Sequence, residues 1–391
     1  MNHVRGCLKA VSDRRGALQP ARRGHPEKTV KHLYLRKGSQ MSDIYPTTRI
    51  AAIQAAPVFI NREATIEKVA KLTKEAKANG ADLVVFPESF VPTFPVWCQI
   101  IAPMDMNDLQ IRLFQNAIRI PSPAFKELQK IARENHIFLS IGVTEKGDNS
   151  MGAMWNTNLI FDREGNMIAR HRKLMPTWAE KLIWSFGDGS SLNVHDTETG
   201  RLGCLICGEN TNTLAKYAMT SQMEQIHIST YPPTSPTSRS NKGDYYSVIH
   251  HRARSHSFES KVYTVTSCSV LDEECLRELQ AIDKTMIDWL ENQSWGVTMI
   301  VGPNGQVCSD REITDNQEGI VYADCDINKE IWLKNLHDVS GSYQRFDIFR
   351  YEINKTALEP LYIRKEDDLP DRDFYPYEPE EASEPEEPAE E

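Results

Sequence analysis

From residue 49 to residue 324, short apolar runs alternate with stretches in which apolar residues recur every three or four positions. Residues 49–56 (RIAAIQAA) are apolar at nearly every position and stop at Pro57, the pattern of a strand buried on both faces. Residues 63–78 place Ile66, Val69, Leu72 and Ala76 at helical spacing, with charged residues on the other faces and Gly80 as the stop. A second buried-strand run covers 83–86 and closes on Pro87-Glu88. Ser122-Pro123 caps and opens a helix whose stripe is Phe125, Leu128 and Ile131. Strands follow over 137–143 and 156–162, the second turning at 163–166. The rhythm then repeats: strand 202–207, helix 213–222, strand 226–230, helix 247–260, strand 261–267, and closing strands at 294–301 and 318–324 around the turn 302–305. Two strand–helix–strand halves with short strands predict an α/β fold of layered sheets and helices.

The two ends lack this rhythm. Residues 1–40 carry ten Lys/Arg against Asp13 and Glu27, and a second Met, Met41, opens the patterned part. An Arg-rich, acid-poor head fits an organellar transit segment, yet Ser is sparse and acids are present, so a disordered extension is the plainer reading. Residues 366–391 set thirteen Asp/Glu against Arg372, with several Pro and few aliphatics. Such a segment buries too little apolar surface to offset its ordering entropy; it is expected to be a solvated tail, or an acidic interaction tail. The predicted organisation is a basic head at 1–40, one domain at 41–365 and an acidic tail at 366–391.

Composition narrows the classes. At 40% hydrophobic and 26% charged residues the chain can build a sizeable core. Its net charge of −10 argues against nucleic acid as a partner. No apolar run approaches the roughly 18 residues of a membrane span. Eight cysteines in 391 residues, several in strand-like surroundings, and no apolar leader in the head point to a reducing, cytoplasmic compartment.

Three segments end an apolar run on a charged or reactive residue: LVVFPE at 83–88, HRKL at 171–174 and LICGEN at 205–210. Strand ends are where α/β folds carry functional groups. A carboxylate (Glu88), an amine (Lys173) and a thiol (Cys207) make a set for covalent catalysis. A thiol attacks best as thiolate, a carboxylate can take its proton, and an ammonium can stabilise developing negative charge. Each also has an ordinary reading: a capping Glu, a solvated basic face at 170–173, a buried structural thiol. Cys204 and Cys207 form one CxxC, but no second pair or spaced His completes a metal site, and an offset of three points them to opposite strand faces. His250, His251 and His256 lie on a polar helical stretch and read as surface or locally hydrogen-bonded residues. Phosphate-loop and GxSxG patterns are absent from the sequence.

Taken in order, FPES at 86–89, HRKLMPTWAEK at 171–181 and GCLICGENTN at 203–212 resemble the nitrilase (carbon–nitrogen hydrolase) superfamily, over roughly 48–355. Pro176-Thr177, Glu180, Gly187-Asp188-Gly189, HISTYPP at 227–233, HSFESKVY at 256–263 and DVSGSYQRFDIFR at 338–350 resemble its nitrilase branch. Two positions depart from the pattern. Gly208 follows the thiol where Trp is frequent, and Trp178 follows Thr177 where His is frequent. Both leave the triad intact and bear on substrate class, Gly208 widening one pocket wall and Trp178 narrowing another.

The resemblance implies an αββα four-layer sandwich that pairs into an αββα–αββα dimer, extendable to spirals or filaments. It implies a nitrilase that turns an organic nitrile and water into carboxylic acid and ammonia. Cys207 would be the nucleophile, Glu88 the general base, Lys173 the stabiliser of tetrahedral intermediates, and Glu180 the additional carboxylate that positions Lys173 and substrate. Trp178, Gly208, Thr177 and Tyr231 are the expected substrate contacts, with no metal or organic cofactor. The apolar residues around 213–226 and a strand-rich 318–350 are the expected interface material of a homo-oligomer. The alternatives are a related hydrolase or hydratase acting on an amide, on cyanide or on a nitrile as far as the amide, and a non-catalytic binding protein of the same fold.

Overall fold

The first apolar run forms strand β1 (Thr47–Gln54) in a computed structural model that describes residues 44–234, 244–284, 290 and 294–358. The head at 1–40 and the tail at 366–391 lie outside the described residues. Strand β1 shows why its sequence does not alternate. Ile50 and Ala52 face a second sheet, Ala51 and Ile53 face helices, and all four are fully buried.

Helix α1 (Arg62–Ala78) follows, its first turn closed by Asn61 Oδ1 accepting from Ala64 N at 3.1 Å. Then come β2 (Leu83–Val85), α2 (Asn107–Asn116), α3 (Pro123–Asn135), β3 (Phe138–Lys146), β4 (Met154–Phe161) and β5 (Met167–Arg172). The second half holds β6 (His195–Thr197), β7 (Gly200–Ile206), α4 (Thr213–Thr220), β8 (Ile226–Tyr231), α5 (Tyr245–Ser260), β9 (Tyr263–Cys268), α6 (Glu273–Ile282), β10 (Met299–Val301), β11 (Gly319–Asp326) and α7 (Lys329–Leu336).

Six strands form one sheet in the order β11-β1-β2-β3-β4-β5, and five form the other as β10-β9-β8-β7-β6. The centres are parallel (β1-β2-β3 and β7-β8-β9) and the edges antiparallel. One core lies between the sheets, with Leu83, Val85 and Ile160 against Leu202, Ile226 and Val265. A second lies under α1 and α3 (Ile66, Val69, Phe125, Leu128), and a third packs Leu205 under α4 through Ala215, Ala218 and Met219. The architecture is the expected αββα sandwich, held by apolar burial on both faces of both sheets.

Several details differ from the sequence reading. The run at 294–301 is regular strand only in β10; Trp295 and Thr298 make isolated bridges. The region 318–350 is strand only as far as Asp326 and then turns helical in α7. Helices α2 and α6 were not apparent in the pattern because only two residues of each, Leu109 with Leu113 and Cys275 with Leu279, are buried. Among the described residues no helix is long and apolar enough to cross a membrane.

Candidate active site

The loops after β2, β5 and β7 bring the three segments together. Phe86 N still bonds the Ser140 carbonyl of β3 at 2.8 Å, and Lys173 N bonds the Asn156 carbonyl of β4 at 2.8 Å. Glu88 and Lys173 are therefore fixed by sheet registers, not by flexible loops. A Cβ on Gly142 of β3 would lie 2.3 Å from the Pro87 carbonyl and 2.8 Å from Glu88 Cα, so only glycine lets the Glu88 backbone approach the strand so closely. On the far side, Glu145 is wholly buried and accepts from Arg170, Arg172 and Thr157. That clamp ties β5, whose last residue precedes Lys173, to β3 and β4. Burial pushes the Glu145 carboxyl up, but Arg170 and Arg172 outweigh it and hold it down at about 2.

The centre is a buried ion cluster. Lys173 Nζ donates to Glu88 Oε1 at 2.8 Å and to Glu180 Oε2 at 2.7 Å, and no side chain of the three is more than 3% exposed. Glu180 lies in the one-turn helix Trp178–Leu182, and its Oε2 also accepts from Thr177 N at 2.8 Å. Asn156 Nδ2 donates to Glu88 Oε1 at 2.6 Å, while Glu88 Oε2 is buried without a protein partner. Burial raises the Glu88 carboxyl to about 7, against the pull of Lys173 and with the help of Glu180. Burial works against the Lys173 ammonium, but Glu180, Glu88 and Cys207 overrule it and hold it well above the usual amine range. Two carboxylates and one ammonium thus share a buried site in which one carboxyl oxygen has no protein partner.

Cys207 directly follows β7 and begins the one-turn helix Cys207–Thr211, with φ +47. It is 6% exposed. A non-glycine residue in this left-handed region is uncommon and points to a local constraint. Ser89 (φ +46) and Trp178 (φ +44) share that conformation beside Glu88 and Glu180, so all three segments carry one such residue. Burial and the Glu88 charge push the Cys207 thiol up to about 12, against Lys173 and Arg252. The free protein therefore holds a protonated thiol next to a carboxyl poised near neutrality, and thiolate formation calls for a base. Tyr245 places its hydroxyl 3.8 Å from Cys207 Sγ. Behind the thiol, Glu209 accepts from Ile206 N and Leu174 N at 2.7 Å and from His171 Nε2 at 2.9 Å, which locks the loop after Lys173 to the turn that carries Cys207.

Of the expected substrate contacts, Thr177 and Gly208 face one another: a Cβ on Gly208 would meet Thr177 Oγ1 at 2.9 Å. Trp178 is 68% exposed, so its ring does not narrow a buried wall in the single chain. Tyr231 is fully buried, accepts from Ser229 Oγ at 2.8 Å, and stacks edge-on against Tyr245 with ring centroids 6.3 Å apart. It stands one residue behind the ring that touches the thiol. Cys204 is a buried free thiol of the inter-sheet core, as is Cys207, and the two are not bonded. His256 differs from the surface reading: it is 1% exposed and bonds Glu224.

Sequence reasoning missed Asn156, Tyr245, Arg252 and Glu209. Glu209 and Asn210 stood within the motif GCLICGENTN, which was the available signal for them; the other three carry none, because their place depends on strand and helix pairing.

The carbon-nitrogen hydrolase family profile matches residues 49–335. The chain is 34% identical over 317 residues to a nitrilase from Bacillus sp. (strain OxB-1), covering 81% of this chain and 91% of that one. An aliphatic nitrilase from Rhodococcus rhodochrous is 30% identical, with coverage of 81% and 85%. An arylacetonitrilase from Aspergillus niger is 34% identical, with coverage of 77% and 90%. Among solved structures, an amidase from Nesterenkonia sp. AN1 in complex with acrylamide superposes with a TM-score of 0.52 at 16% identity over 76% of this chain and 95% of that one, a likeness of fold.

Proposed function

The chain belongs to the carbon–nitrogen hydrolase family, within its nitrilase branch, and we propose that it hydrolyses an organic nitrile to the carboxylic acid and ammonia. The observation that supports the reading is the buried cluster of Glu88, Lys173 and Glu180, whose charges bear on the left-handed Cys207, with Glu88 Oε2 unpaired. Cys207 sulfur attacks the nitrile carbon; its proton passes to Glu88 and on to the nitrile nitrogen, leaving a thioimidate. One water adds to that carbon, ammonia departs, and a thioester remains. A second water, deprotonated by Glu88, releases the acid and restores the thiol. One nitrile and two waters thus become one acid and one ammonia. Lys173 stabilises the negative charge that develops at each tetrahedral stage, and Glu180 holds Lys173 in place.

Gly208 and Thr177 form the wall next to the nucleophile in this reading, with Tyr231 behind it and the exposed Trp178 outside it. A homo-oligomer, built from dimers, also belongs to it. Supporting that state are exposed apolar side chains at Trp332, Leu336, Tyr343, Phe346 and Phe349, together with Leu214. Ala215, Ala218 and Met219 of the expected interface are instead buried under the same chain's Tyr351 and Ile353. A cytoplasmic setting completes the reading, since a nucleophilic thiol works reduced.

The test is ammonia and acid release from aliphatic, arylaliphatic and aromatic nitriles, run beside their amides, with Cys207→Ala as control. Ammonia that depends on Cys207 is the expected result. Amide formed without ammonia, or turnover of amides alone, would overturn it.

A further inference from the structure

The carbonyl of Cys207, whose backbone is left-handed, is tied down from behind. Asn210 Nδ2 donates to the Leu205 carbonyl at 3.0 Å and to the Cys207 carbonyl at 3.1 Å. These two contacts orient the carboxamide, since the reversed amide would set an oxygen against two oxygens. Asn210 Oδ1 therefore faces His227 Nε2, at 2.7 Å, and can only accept; the hydrogen lies on Nε2. His227 Nδ1 faces Glu224 Oε1, also at 2.7 Å, and that contact holds a second proton. The other oxygen, Glu224 Oε2, accepts from His256 Nε2 at 2.8 Å, while His256 Nδ1 has no partner, so one proton on Nε2 satisfies that ring. Glu224, His227, Asn210 and His256 are all 2% exposed or less.

We propose that Glu224 and His227 are positioning residues for the nucleophile: a chain Glu224–His227–Asn210 fixes the carbonyls of Leu205 and Cys207 and so holds Cys207 in its strained backbone conformation. The fold makes special room for it. A Cβ on Gly203 of β7 would lie 2.0 Å from Glu224 Oε1, so the strand carries a glycine where the carboxylate sits. Burial raises the Glu224 carboxyl, but His227 and His256 outweigh this and bring it to about 2, as an anion that accepts from both rings requires. The ligand atoms of Glu224, His227 and His256 lie within 4.8 Å of one another, as in a metal site. Both carboxylate oxygens, however, already accept from imidazole nitrogens, and the far nitrogen of His227 is committed to Asn210.

This inference rests on Cys207 being the nucleophile, so its test pairs turnover with a readout that needs no nitrile. Full-length His227→Leu, which removes the donor at similar bulk, and His227→Gln, whose amide N–H replaces Nε2–H, are compared with wild type. The measurements are kcat and KM on a nitrile the wild type turns over, the iodoacetamide alkylation rate of Cys207, Tm, and metal content by mass spectrometry. Misplacing a reacting group by about 1 Å costs on the order of 10²-fold. His227→Leu should lose about that factor in kcat and in alkylation rate, with KM within about threefold. His227→Gln should recover to within about tenfold of wild type, at the Tm of His227→Leu. Wild-type behaviour of His227→Leu, failure of His227→Gln to recover, or one bound metal per chain would each overturn the proposal. A wild type that alkylates at Cys207 but hydrolyses no nitrile would refute the nitrilase reading, and the alkylation ratios would still decide the positioning chain.

Discussion

Replacing Glu180 by Gln removes one charge from the buried cluster while keeping an oxygen to accept from Lys173 and from Thr177 N. The two carboxylates touch one nitrogen at 2.8 and 2.7 Å; laid end to end, those contacts put the facing oxygens at most about 5.5 Å apart. At an effective dielectric of about 20, two like charges at that distance repel by about 3 kcal/mol, which corresponds to about 2 pKa units. That repulsion is one of the causes that hold the Glu88 carboxyl at about 7. In Glu180→Gln the Glu88 carboxyl should fall by about 2 units, since Lys173 then serves one anion instead of two. A general base works deprotonated, so wild-type kcat/KM should rise tenfold per pH unit up to about 7 and level off above it. In the variant the same rise should finish near pH 5. Its plateau should drop by no more than about 10²-fold, because Lys173 keeps both oxygens within reach. The assay is kcat/KM for nitrile hydrolysis between pH 4.5 and 9 at fixed ionic strength, with Glu180→Leu beside it, which should lose more because Lys173 and Thr177 N lose their acceptor. An acid limb that stays near pH 7 in Glu180→Gln would show that Glu88 is not the titrating base, or that Glu180 does not act on it.

Two further predictions follow from burial and space. Glu145→Gln should lower stability by about 3 kcal/mol at neutral pH, since the native carboxyl is held near 2 instead of 4.5 and two arginines lose their counter-charge. A depressed carboxyl stabilises above its unfolded pKa of about 4.5 and loses that contribution as pH falls toward about 2, so the wild-type advantage in Tm should shrink across that window; equal Tm values at pH 7 would contradict the clamp. Gly208→Trp should shift preference toward smaller nitriles, because a side chain there starts 2.9 Å from Thr177 Oγ1; an unchanged size ranking would remove Gly208 from the pocket wall.

The sequence by itself determined the layered fold and the three segments that carry chemistry. A strand buried on both faces must be apolar throughout, which makes residues 49–56 and 83–86 readable, and a reactive residue closing such a run lies at a strand end by construction. The resemblance of three ordered motifs then pointed to Glu88, Lys173, Cys207 and Glu180, which the fold brings around one buried site. Only the tertiary structure decided what surrounds them. Asn156 reaches Glu88 across 68 residues of chain and Lys173 reaches it across 85, because parallel and antiparallel registers set β2, β3, β4 and β5 in that order in one sheet. His256 reads as a polar helix residue in the pattern but is buried, because the face of α5 that carries it packs on Glu224 and His227. Trp178 reads as a pocket wall but is exposed, while Glu180, two residues on in the same one-turn helix, is the residue that helix buries. Local patterns encode which face of an element is buried. Which charged group meets which other is set by strand order and register, quantities that no window of sequence contains.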